Sequence, residues 1–301
     1  MTSQALAIAP GSPRAWVLGT RLPTLTAAVA PVAVGTAVAL RDGVFDAGPA
    51  FAALLGALAL QIGANFANDL SDFRRGADTA NRIGPPRVTQ LGLLTERQVM
   101  GGMLASFLIA AIAGIYLAVV GGWPVIAIGL VSIVAAVTYT GGPWPFGYRG
   151  LGELFVFIFF GLVAVAGTYY VQAGEVTGSV IAASIPVGLT VTAILVVNNV
   201  RDIDTDRAAR KFTLAVYLGR RLARYQYVLI VLGAYGAAAA LFLVGSFSGW
   251  TLLSWLSIPA AIGPMVAVLT RVEGPPLNAA LKATARLHFI FAILLAIGIA
   301  Q

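Results

Sequence analysis

The stretch TGSVIAASIPVGLTVTAILVV (Thr177–Val197) stays largely apolar for about twenty residues and then turns into NNVRDIDTD (Asn198–Asp206). Its first part has the length a helix needs to cross a bilayer. Its second part places three carboxylates at the edge of that span. An earlier stretch repeats the arrangement, where the apolar run from Gly48 to Ala67 leads into NDLSDFRRGAD (Asn68–Asp78). Half of the chain's twelve acidic residues lie in these two segments. Each sets an Asn and an Asp four residues apart, Asn68/Asp72 and Asn198/Asp202.

The rest of the chain agrees with a membrane reading. It is 59% hydrophobic and 10% charged, with a mean hydropathy of +0.89, whereas a soluble domain carries about a quarter of its residues as charges. Apolar runs predict about nine helices, near 16–40, 48–67, 98–120, 123–142, 152–172, 177–199, 223–246, 249–270 and 283–300. The expected fold is therefore all-α, a polytopic transmembrane helical bundle forming a single domain over 1–301. The N-terminus does not read as a cleaved leader, because residues 1–13 lack Lys and Arg and the first apolar run continues to Leu40. Without cysteine, disulfides and thiolate metal ligands are excluded.

Charge placement sets the orientation. With residues 1–15 as a cytoplasmic tail, eighteen Lys and Arg fall in inside loops and Arg41 alone falls outside. The net charge of +7 is thus a matter of topology and gives no sign of nucleic acid binding. This orientation puts both acidic clusters on the cytoplasmic side and the C-terminus outside. The clusters recur about 130 residues apart, each after the second helix of a set of four. RVTQLGLLTERQ (Arg87–Gln98) and FTLAVYLGRRLARYQ (Phe212–Gln226) follow them, both containing Leu-Gly and a basic residue near a Gln. Two four-helix repeats plus a ninth helix are expected, with long connections after each cluster.

On a helix, residues four apart share a face. Asn68 and Asp72 would point one way, and so would Asn198, Asp202 and Asp206. Carboxylate and amide oxygens are hard ligands suited to Mg²⁺, which takes one or two carboxylates together with substrate phosphates. An Asp at a bilayer centre costs about 2.5–3.5 kcal/mol, so six acids belong at the aqueous rim and need neutralising. Arg82 and Arg87 after the first cluster, with Arg210 and Lys211 after the second, suit phosphate oxygens. A greasy helical cavity with such a mouth fits a ligand with a phosphorylated head and an apolar tail. The plainer reading of either cluster is a solvated loop; the matching pair argues against it. Asp69 and Asp204 are open to either role.

These residues resemble the UbiA superfamily of intramembrane prenyltransferases, whose Asp-rich motifs follow the second and sixth of nine helices in cytoplasmic loops. The pattern N-x-x-x-D-x-x-x-D is matched by Asn198, Asp202 and Asp206. The first cluster has Asn68 and Asp72, with its third acid delayed to Asp78. That delay, with GPPRVTQ (Gly84–Gln90), YTGGPWPFGYRGLGE (Tyr139–Glu153) and the TLAVYLG after Phe212, is similar to the MenA branch, which prenylates 1,4-dihydroxy-2-naphthoate in menaquinone biosynthesis. The resemblance implies a bacterial plasma-membrane enzyme that moves a polyprenyl group from an allylic polyprenyl diphosphate to that acceptor. CO₂ is lost and demethylmenaquinone is formed. It further implies Mg²⁺ held by Asn68, Asp72, Asp78, Asn198, Asp202 and Asp206.

Other residues have two readings each. Tyr139 would shield an allylic cation with its ring or anchor the span at the interface. Arg149 would orient the acceptor carboxylate or serve topology alone. Glu153 would join the site or complement a helix dipole. His288 is expected to be packed or interfacial, and Phe155, Phe157, Phe159 and Phe160 to face core or lipid. The rival functions are prenyl transfer to another acceptor such as 4-hydroxybenzoate or homogentisate, and cation-coupled transport. Transport would place its acids near the bilayer midplane.

Overall fold

A computed structural model describes residues 8–77, 84–272 and 274–301, and the described residues form helices and turns with no strand among them. The first apolar run folds as α1 (Pro13–Thr20) and α2 (Thr26–Arg41), bent by 50° at a 3-10 turn over Leu22–Thr24. The break has a local cause. Arg21 takes a left-handed backbone with φ 52°, and Pro23 cannot donate to a helical ladder. α1 begins inside the stretch expected to be tail.

α3 (Ala47–Arg74), α4 (Glu96–Gly121) and α5 (Trp123–Thr138) follow. The next segment has three parts: α6 (Gly152–Val156), a π-helical stretch over Phe157–Val163, and α7 (Ala164–Ala173). Then come α8 (Gly178–Ala208) and α9 (Leu214–Leu243). A 3-10 stretch over Gly249–Ser257 leads into α10 (Ile258–Thr270), and α11 (Gly274–Ile299) closes the bundle. Among the described residues, seven segments are long and apolar enough to cross a membrane, α1 with α2 would make an eighth, and α5 is a shorter apolar helix of 16 residues.

The structure moves several expected boundaries. α3 runs on through the first cluster to Arg74 and α8 runs through the second to Ala208, so Asn68, Asp72, Asn198, Asp202 and Asp206 are helical and lie in no loop. Neither cluster contains a helix breaker before those ends, and Arg74 and Arg207 in the last turns complement the helix dipoles. α9 starts at Leu214, so the connection after α8 is short where a long loop was expected; Gly219, at φ 75°, then breaks the helix after its first turn.

α8 lies at the centre of the bundle. Val187, Val196 and Val200 on it pack in one core with Val34 of α2, Val165 of α7, Tyr227 of α9 and Phe291 of α11. His288 belongs to the same interior, fully buried, with Nδ1 2.8 Å from the Thr190 hydroxyl. The outer faces of α4 and α5 instead expose Leu108, Ile112, Val119, Leu130 and Val134. Water would not tolerate so large an apolar patch; lipid matches it. Small residues allow the closest approaches. A Cβ on Gly161 would lie 2.6 Å from the Gly188 Cα.

One connection is tied down by the first acidic cluster itself. Asp69 is 2% exposed, and its carboxylate accepts from the Val88 and Thr89 amides at 3.2 Å each, with Arg21 3.7 Å away. This clasp seats Val88, Leu93 and Leu94 against Phe66, Leu70 and Val99.

Two outcomes follow from this packing. Gly161→Val will lower the thermal midpoint in detergent, reflecting overpacking of about 1–3 kcal/mol, whereas Gly101→Ala, where a Cβ meets nothing within 4 Å, will not. Asp69→Ala strands two buried amide donors, at about 1–3 kcal/mol each. Hydrogen exchange at Val88 and Thr89 will then accelerate ahead of the α8 core.

Candidate active site

α3, α4, α5, α7 and α8 surround a cavity of about 690 Å³. α5 gives it a whole helical face at three- and four-residue spacing, Val125, Ile128, Gly129, Ser132 and Ala136, which its C-cap Tyr139 continues. The wall is apolar along most of its length. Its polar end gathers Asn68 and Asp72 from α3, Asn198, Asn199 and Asp202 from α8, and Arg87 and Lys211 from the connections that follow. The two acidic clusters, far apart in sequence, thus meet at one mouth.

Each carboxylate there has a cation beside it. Asp72 accepts from Arg87 and from the Tyr148 hydroxyl, both at 2.9 Å. Arg201 grips both oxygens of Asp202, at 2.7 and 2.5 Å, and also donates to Asn198 Oδ1 and to Asn278 of α11. Lys211 Nζ lies 3.4 Å from Asp206 Oδ1, while Asp206 Oδ2 is buried with no hydrogen-bond partner. Asn68 Oδ1 accepts from the Thr140 hydroxyl at 2.9 Å. Buried ion pairs of this kind persist only when both charges are matched, since removing one partner strands the other.

The ring of Tyr148 has Lys211 5.5 Å and Arg75 5.6 Å from its centre. Burial, followed by the Asp72 charge and its hydrogen bond, drives the Tyr148 phenol well above its ordinary value, so it remains a donor. Tyr139, just past the end of α5, is driven the same way, first by burial and then by Glu153, Asp72 and Asp206. Its ring heads an aromatic column on the cavity wall. Tyr139 meets Phe146 edge-on at 5.4 Å, Phe146 stacks on Phe155 at 4.0 Å, and Phe159 follows at 6.1 Å. Phe155, Phe159 and Phe160 therefore line the cavity, contrary to the expectation that they face core or lipid. The π-helical stretch, with its wider turn, begins among them.

The remaining expected residues fall in different places. Glu153 is buried just behind the wall, where Oε1 accepts from Asn199 at 2.9 Å. Arg149 is exposed, its guanidinium 5.1 Å from the Trp144 ring centre and off the cavity wall. Arg210 is exposed, with a left-handed backbone at φ 54°. Asp204 is exposed and paired with Arg220 at 2.7 Å. Asp78 and Arg82 lie outside the described residues. Sequence reasoning missed Arg201, Tyr148 and Asn199. Arg201 stands inside the second cluster, three residues from Asn198 on the same helical face, a spacing that would have found it.

The sequence pattern of the UbiA prenyltransferase family matches residues 28–295. A 1,4-dihydroxy-2-naphthoate octaprenyltransferase of Mycobacterium tuberculosis is 39% identical over 283 residues, 93% of this chain and 95% of that protein. Among solved structures, a UbiA homolog from Aeropyrum pernix K1 has a TM-score of 0.71 at 15% identity, over 92% of this chain and 98% of that one. Another, from Archaeoglobus fulgidus and bound to DMAPP and Mg²⁺, has a TM-score of 0.63 at 14% identity, over 94% and 99%. The two solved structures share its fold, and with the family pattern covering most of its length, this integral membrane protein belongs to the UbiA prenyltransferase family.

Proposed function

We propose that this chain transfers a polyprenyl group from an allylic polyprenyl diphosphate to 1,4-dihydroxy-2-naphthoate. CO₂ is lost, and demethylmenaquinone is formed in its reduced, quinol form. The observation that carries the reading is the convergence of Asp72 and Asp202, from α3 and α8, at the polar mouth of one apolar cavity. The naphthoate acceptor is supported by the name of the mycobacterial relative, which matches over 93% of this chain.

The donor set fits Mg²⁺. Asn68, Asp72, Asn198 and Asp202 present hard oxygens to the cavity, and Asp206 keeps a buried oxygen without a partner. These five, with Asp78, would hold the ion. Among the described residues no three acidic, His or Cys side chains group tightly enough to hold one alone, so diphosphate oxygens would complete its shell. When bound, the ion supplies the positive charge that stabilises the departing diphosphate. The A. fulgidus homolog, solved with DMAPP and Mg²⁺, supports this choice.

The chain's own residues do the rest. Arg87 and Lys211 at the mouth supply donors for phosphate oxygens. The faces of Tyr139, Phe146 and Phe155 flank the path where an allylic cation would form, a position in which π electrons favour positive charge. The apolar length beyond them takes the prenyl tail and excludes water that would quench the cation. We further place the chain in a bacterial plasma membrane, as a single domain of nine spans in two four-helix repeats plus one. Its N-terminus and site would face the cytoplasm and its C-terminus the outside.

Purified protein with Mg²⁺, prenyl diphosphates of several lengths and a panel of aromatic acids, read by product mass, tests the assignment. Transfer to 4-hydroxybenzoate and not to the naphthoate would overturn the acceptor. Asp72→Ala and Asp202→Ala will each lower transfer by about 10²–10³-fold or more, the scale of losing a charge-stabilising group. Asp204→Ala will stay near the parent rate, and chelation of divalent ions will stop the parent enzyme. Retained activity in both of the first two variants would refute the metal assignment.

A further inference from the structure

Glu153 is a buried acid that neither the diphosphate end of the site nor the Asp69 clasp uses. It lies in the first turn of α6 and is only 6% exposed. A glutamate at that position ordinarily offers its charge to the helix amides and to water. Here the side chain turns inward, away from water, and stays near its own backbone amide. Oε1 is fixed by Asn199, and Oε2 is buried with no hydrogen-bond partner. An unengaged acid oxygen in such surroundings is costly.

The groups in front of it face the cavity. Asn199 and Tyr139 both line the cavity. The Tyr139 hydroxyl lies 3.2 Å from where a Cβ on Gly152 would stand, one residue before Glu153. Among charges, Glu153 acts on that phenol ahead of Asp72 and Asp206. The Lys211 charge, paired with Asp206, acts favourably on the same carboxylate. The elements packed on α6 add Tyr148 from the 146–148 turn, and Arg201, Asp202, Asp204 and Asp206 from α8. Of the last four, Arg201 and Asp202 bind each other, while Asp204 turns to Arg220.

We propose that Glu153 accepts and returns the ring-hydroxyl proton of the aromatic acceptor, with the Tyr139 hydroxyl as the relay between them. The proposal rests on the naphthoate reading above. The ring carbon bearing the carboxylate bonds to the allylic carbon as the allylic C–O bond breaks, its electron pair leaving with diphosphate. The neighbouring ring hydroxyl gives its proton through Tyr139 to Glu153 and becomes a carbonyl. The intermediate is a β-keto acid. Its C–C bond to the carboxylate breaks, CO₂ departs, and the electron pair returns to the ring as an enolate. That oxygen takes its proton back from Glu153. No electrons enter or leave, so the product is the quinol. The competing role is structural, with the Glu153–Asn199 bond merely fastening α6 to α8.

The test uses the purified full chain with Mg²⁺, one prenyl diphosphate and 1,4-dihydroxy-2-naphthoate over a range of pH. Glu153→Gln keeps the amide partner but cannot hold the proton. Its kcat will fall by about 10²-fold or more, and the deficit will shrink as pH rises, because the acceptor then arrives already ionised. Calorimetric binding of inorganic diphosphate with Mg²⁺ will stay as in the parent, Glu153→Asp will recover part of the rate, and Tyr139→Phe will show the same pH-dependent deficit. An unchanged kcat in Glu153→Gln overturns the proposal. So does a deficit equal at every pH, or one matched by loss of diphosphate binding, since fastening alone would produce either. If the parent chain fails on the naphthoate while transferring to another acid, the function reading has failed. If the parent is active and only these variant results miss, Glu153 alone is wrong.

Discussion

A carboxylate carried toward the hydrocarbon of a bilayer must bring compensating charge or hydrogen bonds with it, and the polar end of this bundle is arranged around that condition. Asp72 has Arg87 and Tyr148, Asp202 has Arg201, Asp206 has Lys211, and Asp69 has two backbone amides with Arg21 nearby. These partners come from almost every element at that end. Neutralising four acids therefore also fixes the connection after α3, the turn at 146–148 and the start of α9. The same grouping that makes the mouth tolerable in lipid leaves cations beside the acids, where a phosphorylated head would lie.

Depth divides the work. Near the rim, amide and carboxylate oxygens alternate with Arg and Lys. One to two turns further in, the wall passes to small and aromatic side chains, and α5 contributes a face while burying none of its residues. A ligand with a charged head and a long apolar tail satisfies both zones at once. A small inorganic cation alone would satisfy only the first, which is why the apolar length of the cavity weighs against transport.

The apolar runs were readable because a span needs about twenty residues and few other folds tolerate that composition. Asn198, Asp202 and Asp206 were readable because their four-residue spacing survives whether or not one knows where the helix ends. The helix ends themselves were not readable, since hydropathy reports where lipid stops and not where hydrogen bonding stops; α3 and α8 continue into water-compatible sequence. Arg149 and Arg201 show a second gap. Both look like topology-setting arginines in sequence, yet one lies exposed over Trp144 and the other makes four hydrogen bonds at the mouth. Which way a side chain points depends on the rotation of its helix in the bundle. The same rotation put Phe155, Phe159 and Phe160 on the cavity.

The π-helical stretch over Phe157–Val163 sets a phase relation between the two halves of its segment. A π turn holds more residues than an α turn, so α6 with Glu153 and α7 with Thr168 and Val171 are rotated differently than in a continuous α-helix. Loss of a single residue there would restore regular winding and turn one half against the other by about 100°. Either the aromatic column or the deep wall would then face lipid. This segment should therefore tolerate many exchanges of side chain and almost no change of length.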